Sequence, residues 1–238
     1  MNKKILVILA SLLLIGQAFS VAPVQAQEQE TETVSIGEVS DPGILPDSPF
    51  YFVKSWGRTI RSFFAFNSQK KAELALRFAN EDALAIKELC DKGKCQLAEK
   101  HCEKFQEQFQ RAVQRMERVR EEGKDVEALI EKLKENHFRQ QQVLASVLEK
   151  APEQAEEGIL NAIENSCFGL ENAVERIQGK QKLEQFREEL NLQFSNVGEE
   201  TRIRIQERLE AGHHKPEEIS GGGPQEQKHN QGRNSTEK

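Results

Sequence analysis

The chain has 238 residues, 30% of them charged and 6% aromatic, with a formal net charge of −6 at pH 7. That acidic balance disfavours nucleic acid as a general partner. Sparse aromatics among many charges exclude a dense globule and favour long, solvent-facing helices, and the length suffices for one or two domains with a substantial core.

Residues 1–26 read as an export signal. Lys3 and Lys4 form a basic start, Ile5 to Ile15 a nearly unbroken apolar run, and Val24-Gln25-Ala26 a small-x-small cleavage site ahead of Gln27. Gln17 and Pro23 cut the apolar run below the roughly 20 residues of a membrane-spanning helix. No Cys follows it to carry a lipid anchor. The expectation is an exported chain (periplasmic, cell-surface or extracellular) cleaved after Ala26. Cleavage removes two positive charges and no negative one, leaving a formal charge of −8.

Residues 27–44 read as an acidic linker. Glu28, Glu30, Glu32, Glu38 and Asp41 occur there without a Lys or Arg, and no apolar period is visible.

The next stretch, 45–66, reads LPDSPFYFVKSWGRTIRSFFAF. It holds the only Trp, the only Tyr and five of the thirteen Phe. Ser48 as a cap and Pro49 at the first position predict a helix over 49–66. On its wheel Phe50, Phe52, Val53, Trp56, Ile60, Phe63 and Phe64 fill one arc, with Lys54, Arg58 and Arg61 opposite. Phe52, Val53, Trp56, Ile60, Phe63 and Phe64 form the candidate docking face. A second amphipathic helix follows at once, so this face is expected to close on the bundle as a lid, with the basic side paired to acidic helices. The rival is a peripheral membrane contact, with the aromatics inserted and Lys54, Arg58 and Arg61 near headgroups.

Residues 45–211 as a whole predict a helical domain, because Pro152 is the one proline between Pro49 and Pro216. Asn67 or Ser68 caps a second helix running to about Asp91. A third spans about Cys95 to Glu122, a fourth starts near Asp125 and ends before Pro152, and Gly179 and Gly198 divide the remainder. Ala98, Cys102, Phe105, Phe109, Ala112 and Met116 step at fours and threes along the third helix, and Leu160, Ile163, Cys167, Leu170 and Val174 along the fifth. The fold class is therefore all-α: an antiparallel helical bundle, compact or elongated, of about five to seven helices. Residues 212–238, with three consecutive glycines and little to bury, read as a disordered polar tail.

Cys90, Cys95, Cys102 and Cys167 form an even set in an exported chain, which favours disulfides. Cys95 and Cys102 share a helix two turns apart, too far for one bridge. Cys90 and Cys95 flank a turn at Gly93, so the expected pairs are Cys90–Cys95 and Cys102–Cys167. A metal site at His101 and Cys102 is weaker, because adjacent helical residues diverge by about 100° and no CxxC or HxxxH spacing occurs.

No nucleophile elbow, phosphate loop or Ser/His/Asp set is present, and the carboxylates fall in runs typical of solvated helix faces. His101 and His137 stand singly on helices. The expectation is no enzyme and no cofactor.

Asp47-Ser48-Pro49-Phe50-Tyr51 with Lys54 one turn on, followed by Lys70-Lys71-Ala72-Glu73-Leu74, resembles a bacterial family of uncharacterised function marked by LPDSPFY and KKAEL motifs. The resemblance covers about 44–178. It departs at Asp82-Ala83, where an Arg-Leu is usual. It implies an exported helical domain of the kind also found in the extracytoplasmic part of some anti-sigma factors, and assigns no activity. The function expected is a non-catalytic structural or protein-interaction module at the cell envelope, with an unknown protein partner. The alternatives are extracytoplasmic metal or stress sensing, and membrane-surface binding through the 49–66 helix.

Overall fold

A computed structural model describes residues 34–213, which form seven helices: α1 (Tyr51–Phe63), α2 (Ser68–Asp91), α3 (Cys95–Glu121), α4 (Glu127–Leu148), α5 (Glu153–Gln178), α6 (Lys180–Gln193) and α7 (Glu199–His213). The expected signal peptide at 1–26, and the tail beyond His213, lie outside these residues.

Local chemistry sets the boundaries. The Asn67 side chain accepts from the Lys70 backbone N–H at 2.7 Å and caps α2. At its far end Gly93 adopts φ +70°, which lets Lys94 N–H reach back to Leu89 C=O at 2.8 Å and close the helix with a left-handed residue. Pro152 stands just before α5, where its missing N–H costs nothing.

Two helical hairpins, α2/α3 and α4/α5, make the body. Within each hairpin the helices run antiparallel: Gln178 of α5 bonds Glu127 and Glu131 of α4, while Gln141 of α4 bonds Ser166 of α5. Between hairpins they run parallel. The Glu99, Gln106 and Glu117 side chains of α3 meet Gly158, Asn165 and Arg176 of α5, a constant offset of 59 residues. Asn80 of α2 likewise meets Asn136 and Gln140 of α4. The expected bundle is present, but it mixes antiparallel neighbours with the parallel pairs α3/α5 and α2/α4. Helices α6 and α7 each lie against both α4 and α5, and their side chains meet where Arg187 approaches His213 Nε2 at 3.3 Å. Phe105, Phe109, Met116, Leu133, Leu144 and Phe186 are buried at the centre. This core closes within residues 34–213, which belong to one compact unit beginning at Val34.

Residues 34–44, inside the stretch 27–44 read as a linker, belong to the fold. Residues 34–49 form a strap in which Ile36 and Val39 exchange backbone hydrogen bonds (2.8 and 3.1 Å) around Gly37 and send both side chains into the core. Asn80 Nδ2 donates to the Ile36 carbonyl at 3.2 Å and to Asn136 Oδ1 at 2.7 Å, and Gln140 donates to Asn80 at 2.6 Å. A two-residue turn buries two apolar side chains without any period in the sequence, so the acidic composition concealed it.

Candidate functional site

Helix α1 is short, about 20 Å long at 1.5 Å per residue, and alone among the seven it has no buried residue. Among the helices its backbone packs only along α2. Its attachment is polar. Tyr51, Lys54 and Arg58, spaced at three and four, face the bundle.

Arg58 grips Asp82 of α2 with a two-pronged guanidinium–carboxylate pair, both contacts at 2.9 Å, and reaches Glu81 at 3.0 Å. Its charge also lies 4.8 Å from the centre of the Phe78 ring. The Asp82 side chain is fully buried and that of Arg58 is 14% exposed. Burial pushes the Asp82 carboxyl pKa up, opposed by the fork from Arg58. Burial also disfavours the Arg58 charge, but the hydrogen bonds and charges of Asp82 and Glu81 outweigh it and raise the Arg58 pKa. Lys54 donates to the Pro42 carbonyl of the strap at 2.7 Å, and desolvation lowers its pKa. At the start of α1, Lys104 donates to the Tyr51 hydroxyl at 3.2 Å. That hydroxyl lies 3.3 Å from His101 Nε2. Burial, with the nearby Lys104 charge, pushes His101 down to about 3, and its neutral ring shares a hydrogen bond with the Tyr51 hydroxyl.

The consequence is an inversion of the expected lid. The apolar face of α1 does not close on the bundle: it points to solvent. Phe52 is 53% exposed, Trp56 68%, Ile60 57%, Phe63 76% and Phe64 61%, with Phe50, Val53 and Phe66 alongside. The basic side does pair with acidic residues, Glu81 and Asp82, and once those bonds are made the opposite side must face out. Edge-on contacts join Phe52 to Trp56, Phe63 to Phe64 and Phe64 to Phe66. Eight large side chains at these exposures present roughly 800–1,000 Å², beyond the few hundred Å² usual for an exposed apolar patch. At about 25 cal/mol per Å² the gross transfer term is on the order of 20 kcal/mol, against which association sets its own ordering costs. Beside the ridge, between Ile60 and Phe64 of α1, the strap turn and α2, runs a groove of about 840 Å³.

The cysteines divide. Cys90 and Cys95 are bonded across the Gly93 turn, their Cα atoms 4.2 Å apart. The expected Cys102–Cys167 staple does not form, and both are buried free thiols. The parallel register explains this. Position 102 lies level with 161, so Cys167 sits six residues further along α5, about 9 Å away along the axis and outside bridging range. Burial pushes the Cys102 thiol up to about 12 and the Cys167 thiol well above its ordinary value, which makes both poor nucleophiles.

His137 is fully buried between Phe109 and Phe186, with ring centres 4.8 and 6.1 Å away, and burial pushes it down to about 3. Among the described residues no group of three or more His, Cys, Asp or Glu could hold a metal ion. None of the described helices is long and apolar enough to cross a membrane. Tyr51, Glu81 and Asp82, which hold the ridge outward, were not recognisable as a set from the sequence. The visible signal was Asp82 at a position flanked one turn away by Phe78 and Ile86, on a face too apolar for a solvated carboxylate.

Residues 43–154 match the family model described as a domain of unknown function (DUF5667). That span takes in the end of the strap, α1 to α4 and the first residues of α5, and stops short of residue 178. No curated protein and no solved structure matches the chain.

Proposed function

We propose that the chain is an exported, non-catalytic helical module of the cell envelope, with α1 as its docking element. The observation that carries this reading is the polarity of α1: Arg58 and Lys54 tie its charged side to Glu81, Asp82 and the strap, while Trp56, Phe63 and their neighbours stand in solvent. A surface of this size and composition needs a cover. The basic, apolar and small-residue order of residues 1–26 supports export, as does a disulfide joining Cys90 and Cys95. The non-catalytic part of the reading is supported, among the described residues, by the buried neutral rings of His101 and His137 and the raised thiol pKa values of Cys102 and Cys167.

Cell fractionation tests the reading. The unsubstituted chain is expected with the envelope, and Phe52→Glu with Phe63→Glu is expected to move it into the soluble fraction without changing its melting temperature. An unaltered distribution would remove α1 from the function. Amino-terminal sequencing of the exported protein is expected to begin at Gln27.

A further inference from the structure

We propose that the acceptor of the α1 ridge is the interfacial zone of a lipid bilayer, entered by its aromatic side chains and without any requirement for anionic lipid. This rests on the reading of α1 as a docking element and names what it docks on.

Two observations select lipid. The first is shape: the ridge is a single helix raised on its polar side, with Phe52, Trp56, Phe63 and Phe64 projecting from it. A bilayer deforms around such a ridge, and Trp and Phe on one side of a short helix are the residues that partition into its interface.

The second is charge. Two of the three basic residues of α1 are already engaged, Arg58 by Asp82 and Glu81 and Lys54 by the strap. In the adjoining groove Arg61, Lys70, Arg77 and Lys132 stand against Glu38, Glu73 and Glu135, close to balance. The exported chain, at −8, repels a second copy of itself and an anionic surface alike. Insertion therefore draws on apolar transfer rather than on charge.

The test uses the chain from Gln27 to Lys238, which contains the whole closed core. It is mixed with vesicles of phosphatidylcholine alone, or with a minority of phosphatidylglycerol, at low and high salt. Expected are co-sedimentation with both vesicles that high salt does not weaken, and a blue shift of Trp56 emission with quenching by brominated acyl chains. Phe52→Glu with Phe63→Glu, which leaves Trp56 in place, should weaken partitioning at least about tenfold. The quenching of the unsubstituted chain reads insertion even if that variant fails to fold.

Failure to bind either vesicle would overturn the proposal, as would binding to anionic vesicles alone that salt abolishes. A dimer in sedimentation velocity that depends on Phe63, without vesicle binding, would assign the ridge to a second copy. If the variant still leaves the envelope fraction while the parent ignores vesicles, lipid fails and docking through α1 stands. If envelope association ignores the variant, the docking reading itself fails.

Discussion

Arg58 and Asp82 meet across α1 and α2 as a two-pronged ion pair, with NH1 and NH2 each 2.9 Å from a different carboxylate oxygen and Asp82 without solvent exposure. Removing one partner of such a pair leaves an uncompensated charge, at a cost of about 3–5 kcal/mol, whereas replacing both with apolar residues is often neutral. Asp82→Ala is expected to lower the unfolding free energy measured in urea by that order and to speed tryptic cutting at Lys54, Arg58 and Arg61. The pair of changes Arg58→Met and Asp82→Leu should recover most of the loss. A midpoint unchanged in Asp82→Ala would mean that other contacts hold α1.

Acid is expected to destabilise the fold well above the carboxylate range. His137 binds its proton near pH 6.5 when unfolded and only near about 3 when folded. Its contribution is thus complete above pH 6.5 and is lost as pH falls toward 3, because the unfolded state then holds the extra proton. The slope approaches about 1.4 kcal/mol per pH unit for one such group. His101 acts in the same direction. His137→Phe should show a shallower loss between pH 6.5 and 4.5 in denaturation, and an unchanged slope would count against a neutral buried imidazole.

Thiol titration separates the two cysteine pairs. The native chain is expected to react slowly at every thiol, since Cys102 and Cys167 are buried with raised pKa values. In denaturant, two thiols per chain should appear. None would mean a Cys102–Cys167 bridge, and four would mean that Cys90–Cys95 is open. Closing so short a loop contributes about 2 kcal/mol in the chain-entropy account, so Cys90→Ala with Cys95→Ala should lose about that much.

The strap has its own weak point. Gly37 sits at φ +58°, and a Cβ there would lie 2.4 Å from Asn136 Oδ1. Gly37→Ala is expected to cost about 1–3 kcal/mol through strain and displacement of Asn136. Hydrogen exchange should rise at Ile36 and Val39, whose amides the turn protects. Equal protection in the variant and the parent would show that the turn tolerates a side chain.

Helix positions were legible because punctuation is local: Gly93, Gly123, Gly179 and Pro152 each interrupt the chain where a helix stops or starts. The core stripe of α3, from Ala98 to Met116, was equally plain and is buried. Register between helices was not legible. Cys102 and Cys167 both lie on core faces, but the offset between two parallel, non-sequential helices follows from tertiary packing. The wheel of α1 displayed two faces and could not say which would turn inward. That depended on Asp82 being buried on α2, and the adjacent Glu81 let the two carboxylates read as a solvated pair despite the flanking Phe78 and Ile86. Asn80, Asn136, Gln140 and Gln141 escaped notice for the same reason, since amides within helices carry no spacing rule that marks them as buried.

The orientation of α1 also bears on control. Rolling the helix half a turn to hide Trp56 would carry Lys54 and Arg58 into water and strand Asp82 as a lone anion inside the protein. The two faces cannot trade places without that penalty. The sticky side is therefore presented from the moment the domain folds, and no signal is needed to unmask it. On the docking proposal, contact with an acceptor would follow from how many copies reach it, since every folded copy carries the same exposed apolar edge.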